Sequence, residues 1–153
     1  MKKRTAVLGL GLALFVSVAS GDPLSGAWVL NVGRTHYGGG AEARRSESFV
    51  CEGSRELLRC TTRSVRLDGR SITGSFTAAY DGKPYVVAGV PDVDRVVLRR
   101  VDDHVADACF FNKGGPVFGY RAVKSDDGRS LTIVSVSPVT RKMLNSVVAY
   151  DRR

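Results

Sequence analysis

Through most of the chain apolar and polar residues alternate, and the alternation is broken at short intervals by glycine beside aspartate, asparagine or serine. A period of two places alternate side chains on opposite faces of a strand. Asp68-Gly69-Arg70, Asp81-Gly82-Lys83 and Asp127-Gly128-Arg129 each lie between segments rich in Val, Thr, Ile, Tyr or Phe. They predict hairpin turns, because Asp and Gly accept the positive φ angles such turns require. Asn112-Lys113-Gly114-Gly115 and Gly53-Ser54 predict two more. These breaks divide the chain into about ten strands, near residues 27–32, 46–52, 57–67, 71–79, 84–88, 95–101, 104–111, 116–124, 130–137 and 145–151. No segment has the spacing of an amphipathic helix. The one long link, 34–45, contains Gly38-Gly39-Gly40, whose backbone entropy opposes a helix.

Ten strands joined mainly by hairpins must hide their edges. Closing the sheet on itself does so most simply, which predicts an all-β fold: an antiparallel up-and-down β-barrel of about 8–10 strands over residues 21–153. A two-sheet sandwich is the alternative.

The first twenty residues read differently. Lys2, Lys3 and Arg4 precede an apolar run from Ala6 to Val18, and Val18-Ala19-Ser20 before Gly21 supplies small residues for cleavage, so residues 1–20 are expected to be a secretory signal peptide. The run is too short for a membrane-spanning helix, which needs about 20 apolar residues, and no stable membrane insertion is expected. The predicted location is periplasmic or secreted. Cleavage lowers the charge: the whole chain carries 23 Lys and Arg against 15 Asp and Glu, and removing the three leader cations leaves a net charge of +5. The remaining basic residues are dispersed and few aromatics sit among them, so no nucleic-acid partner is expected. Non-specific contact with an anionic envelope surface remains open.

Three cysteines in an exported chain allow one internal disulfide. Cys51 and Cys60 flank the Gly53-Ser54 turn, and a hairpin there sets them opposite or diagonal to each other. Pairing of Cys60 with Cys109, or three buried thiols, stays open. No C-x-x-C or H-x-x-x-H spacing exists, and His36 and His104 are far apart, so neither metal nor other cofactor is expected. No G-x-S-x-G context or other catalytic arrangement is visible, and the glycine run at 38–40 precedes no helix. Binding is therefore expected rather than catalysis.

Gly26-Ala27-Trp28 with Leu30-Asn31 resembles the G-x-W opening of lipocalins, and more closely the G-x-W-x-L-N opening of small exported bacterial lipocalin-like proteins. Asp81-Gly82-Lys83-Pro84-Tyr85 and Gly89-Val90-Pro91 resemble the D-G-K-x-Y and G-x-P elements of that group. The last strand, 147–152, is similar to that of fatty-acid-binding proteins. The resemblance covers nearly all of the mature chain. It implies a calycin-type barrel closed at one end by Gly26 and Trp28, with a basic residue packed over the indole. The fatty-acid-binding proteins carry an arginine two residues before the last-strand tyrosine; Val148 stands there, so only Tyr150 carries over. The 34–45 link also leaves no room for their helical lid.

Strand parity then suggests what faces inward. Val96, Leu98 and Arg100 share one face; Val117, Gly119, Arg121 and Val123 share one; Val148 and Tyr150 another. With the apolar members inside, Arg100, Arg121 and Tyr150 form a candidate site for the polar head of a small apolar or amphipathic, and possibly acidic, ligand. A buried guanidinium needs a carboxylate, water or an acidic ligand. The competing reading has these arginines stacking on Trp28 or pairing with an internal acid such as Asp107, in a filled barrel that acts as a structural or interaction protein of the bacterial envelope.

Overall fold

A computed structural model describes residues 22–38, 41–54 and 56–153. The expected signal peptide, 1–20, lies outside the described residues. Ten strands follow one another: β1 (Gly26–Leu30), β2 (Arg44–Gly53), β3 (Leu58–Arg66), β4 (Ser71–Ala78), β5 (Asp81–Ala88), β6 (Arg95–Arg100), β7 (Val105–Asn112), β8 (Gly115–Lys124), β9 (Ser130–Val136) and β10 (Met143–Arg152). Each pairs antiparallel with the next, and β1 pairs with β10, so the sheet closes into a barrel without a free edge. The sandwich alternative is thereby excluded.

The turns explain the up-and-down order. Arg66 N donates to Arg70 O across Asp68-Gly69, and Ser125 N to Ser130 O across Asp127-Gly128, with Gly69 at φ +88° and Gly128 at φ +68°. Asp81-Gly82-Lys83 behaves otherwise. The chain turns one step earlier, at Ala79-Tyr80, and Asp81 and Gly82 already belong to β5, where the register with β6 shifts between Asp81 and Pro84. The Asp81 carboxylate accepts the Lys83 N–H at 3.0 Å. The same local chemistry that closes a hairpin elsewhere builds a bulge here.

Inward residues repeat every second position. Glu47, Phe49 and Cys51 of β2, Val96 and Leu98 of β6, Ala106, Ala108 and Phe110 of β7, and Val148 and Tyr150 of β10 are all buried. Cys51 and Cys60 are direct partners in the β2–β3 register and form the disulfide. Cys109 is the free thiol and lies on the outer face of β7.

Odd-numbered strands run one way and even-numbered strands the other, which separates two ends. The lower end holds Trp28, Leu58, Tyr80, Arg100 and Lys124. The upper end receives residues 31–38 and 41–43, the 67–70 and 113–114 turns and the 89–94 and 137–142 loops. Val90 of the 89–94 loop tucks inward against Gly74, where any β-carbon would lie 2.4 Å from Val90 Cγ2. Gly89, at φ +78°, approaches Thr73 O so closely that a β-carbon would sit 2.1 Å from it. Glycine at both positions lets the loop fold down onto β4.

Candidate functional site: the barrel interior and its two ends

The lower end is sealed by the segment 22–25. The Asp22 carboxylate accepts the N–H groups of Leu24 and Ser25 at 2.8 and 3.0 Å and the hydroxyl of Tyr80 at 2.9 Å. Lys124 Nζ donates to Asp22 O at 2.6 Å, and the Trp28 indole N–H to Leu24 O at 2.9 Å. Leu24 and Trp28 have almost no exposed surface and Asp22 is buried with them, while Ser25, Tyr80 and Lys124 are half-buried. Burial, and then the neighbouring Asp22 charge, pushes the Tyr80 hydroxyl pKa far up, and burial lowers that of Lys124. Arg152 lies over the indole with Cζ 5.8 Å from the ring centroid. Such a cation–π contact contributes about 0.5–1 kcal/mol where it is exposed.

The upper half is built from two walls. On one side Glu47 is gripped by its neighbours: Tyr150 Oη donates to Oε1 at 2.7 Å and Arg44 Nη1 to Oε2 at 2.8 Å. Burial raises the Glu47 pKa above the ordinary carboxylate value, against the opposing pull of Arg44 and the Tyr150 hydroxyl. Tyr150 itself is pushed well up by burial and by the Glu47 charge. Beyond β1 the chain stays beside β10: His36 and Val147 exchange backbone hydrogen bonds, which brings Tyr37 opposite Ser146. Ser146 Oγ is buried without a hydrogen-bond partner.

The other wall is aromatic. Phe110 stacks on Phe118 with centroids 4.5 Å apart, and meets Tyr120 at 5.6 Å and Phe76 edge-on at 6.4 Å. Phe118, nearest the upper rim, is 41% exposed. Tyr120 sits so deep that burial drives its hydroxyl pKa far above the usual tyrosine value, yet the side chain is not fully covered. Thr62, Phe76 and Ile133 also project inward, by their register with buried Phe49, Val87 and Ala122, and also keep accessible surface. These inward-pointing residues are thus less completely covered than Phe49, Val87 and Ala122 beside them. Ten strands enclose more space than the eight whose side chains just fill a barrel.

Of the three residues proposed to hold a ligand head, the structure brings no two together. Arg100 does face inward, but at the sealed end, where Nε donates to Asp102 O at 3.0 Å and the guanidinium pairs with Asp103. Arg121 faces outward: its Nε and Nη2 donate to Asp107 at 2.7 and 2.8 Å on the barrel exterior. The expectation failed because β8 carries apolar residues on both faces. The register Ala106–Ala122, Ala108–Tyr120, Phe110–Phe118 turns Phe118, Tyr120 and Ala122 inward, which sends Val117, Gly119, Arg121 and Val123 out. Tyr150 faces the interior, and its interior partner is Glu47. The sequence reading missed Arg44 and Glu47. The signal was present: Glu47 shares parity with Phe49 and Cys51, so a strand burying those two buries Glu47 as well.

The exterior carries a separate groove of about 540 Å³ over β6–β9, lined by Val97, Arg99, Cys109, Gly119, Arg121 and Arg141 among others. Gly119 supplies no side chain to fill it, and a β-carbon there would press on Ala108 O and Val136 O at 3.2 and 3.3 Å.

Compared with known proteins, the chain matches no family, no curated protein and no solved structure.

Proposed function

We propose that this chain is an exported, lipocalin-like binding protein whose barrel takes a small apolar or amphipathic molecule into its upper half. The observation that carries the reading is that the inward-pointing Thr62, Phe76, Tyr120 and Ile133 are only partly covered, above a floor where Leu24 and Trp28 have almost no exposed surface. An interior with an aromatic wall, a few polar groups and one closed end is the kind of concavity in which small ligands bury most of their surface. Three further features support it. The closed ten-stranded barrel is consistent with a calycin arrangement, and Arg152 over Trp28 occupies the place that the G-x-W resemblance reserves for a basic residue. The Cys51–Cys60 bridge suits an oxidising compartment. No helix among the described residues is long and apolar enough to cross a membrane.

Native mass spectrometry of the mature protein purified from its own host tests this. A small molecule bound at one equivalent supports carriage. An empty protein that also takes up no apolar fluorophore removes the reading and favours the alternative, a barrel that works through its exterior. The groove over β6–β9 and the exposed apolar side chains Val117, Val139 and Met143 favour that second reading.

A further inference from the structure

We infer that the interior selects ligands with an uncharged polar end, and that Glu47 is the residue that turns anions away. The inference rests on the interior-binding reading above. It follows from how the charges of the upper half are spent. Both Glu47 oxygens are engaged, one by Tyr150 and one by Arg44, so the one arginine beside the interior tyrosine already has its counter-ion. At the rim Arg66 pairs with Glu42, and Arg45 is turned to Leu67 O at 3.2 Å. Asp94, also at the rim, accepts the Lys113 N–H at 3.0 Å and adds a second negative group. Among the described residues no uncompensated cation faces the upper interior. What remains there is hydroxyl and aromatic: Thr62, Ser64, Ser135 and Tyr120, with Phe76 and Phe110.

The physical consequence is a selectivity. An anionic head brought into this space gives up water, finds no free positive partner and meets the Glu47 carboxylate, whose field already reaches the Tyr120 hydroxyl and helps to raise its pKa. A cation meets Arg44 in the same way. A hydroxyl or amide loses far less on leaving water and can exchange hydrogen bonds with the wall hydroxyls. Fatty acids and other carboxylates, which Tyr150 alone would suggest, are thereby disfavoured relative to neutral analogues of the same body.

The test uses two fluorophores that share an aromatic body, N-phenyl-1-naphthylamine and 1-anilinonaphthalene-8-sulfonate, the second bearing a fixed negative charge. Each is titrated into the mature protein and into Glu47→Gln, which keeps the shape and an acceptor for Tyr150 but frees Arg44. The wild type is expected to favour the neutral probe, and Glu47→Gln to shift the ratio of the two dissociation constants toward the sulfonate by about tenfold, or 1.4 kcal/mol. Arg44→Met provides a second arm should Glu47→Gln not fold: with the guanidinium gone the sulfonate has no cation beside the interior to approach, and the ratio is expected to move further toward the neutral probe. A ratio unmoved by a folded variant, or a wild type that prefers the sulfonate, overturns the inference while leaving interior binding intact. Saturable binding of neither probe to the wild type overturns both.

Discussion

The two ends of this barrel are made from similar residues and reach opposite results. Each has a tyrosine, a carboxylate and a cation. At the lower end Asp22, Tyr80 and Lys124 are drawn together by a chain segment that lies across the opening, and Trp28, Leu58 and Leu98 pack beneath it with no exposed surface. At the upper end Glu47 and Tyr150 are buried on the wall with Arg44 beside them, and it is Thr62, Phe76, Tyr120 and Ile133, elsewhere on the wall, that are only partly covered. The lower constellation is tied to a segment outside the strands, whereas the upper one lies wholly on β2 and β10. What separates them is the backbone that accompanies the charges. Residues 22–25 supply N–H and carbonyl groups to the lower cluster, whereas the contacts that join Glu47 to Tyr150 and Arg44 run between side chains.

The largest change should come from breaking the seal of the lower end. Trp28→Ala removes a fully buried indole, its hydrogen bond to Leu24 O and the surface on which Arg152 rests, and is expected to cost about 3–5 kcal/mol of stability. Chemical denaturation measures it, and a loss below about 1 kcal/mol would mean that the lower end is not the closed one. Next is the disulfide. Its residues lie 9 apart in sequence, and replacing both cysteines by alanine is expected to cost about 2.5 kcal/mol in the chain-entropy picture. The smallest effect belongs to Arg121→Ala. An exterior ion pair of this kind contributes about 0–1 kcal/mol, and its loss should leave neutral-probe binding unchanged. A large fall in interior affinity in that variant would restore Arg121 to the interior.

The same contrast shows what the sequence could reveal. Strand positions were legible because each hairpin carries its own local chemistry; about ten strands were expected and ten are present among the described residues, with most boundaries shifted by one to three residues. The disulfide was legible for the same reason, as both cysteines flank one turn. Barrel closure was legible from the lack of any helix to cover an edge. The site was not, because it depends on parity in strands whose two faces are both partly apolar. In β8 the choice between Val117-Gly119-Arg121-Val123 and Phe118-Tyr120-Ala122 is made by pairing with β7, where alanines and Phe110 take one face and Asp107 the other. Asp107 on the neighbouring strand was in fact the clue: a carboxylate opposite an arginine is satisfied most cheaply in contact with solvent. Arg44 was hidden for another reason. It stands at the very start of β2, where the register with β3 slips between Arg44 and Ser46, so parity counted from the strand centre does not locate it.

The central claim is that the upper interior is open space rather than packed core, and the most direct measurement fills that space. Ser135 stands opposite Tyr120 on the inner face of β9. In Ser135→Trp the account predicts a folded protein whose unfolding free energy changes by less than about 1 kcal/mol, with binding of N-phenyl-1-naphthylamine abolished, since an indole entering a void displaces ligand rather than protein. A variant destabilised by about 3 kcal/mol or more, as expected of overpacking a solid core, would contradict it.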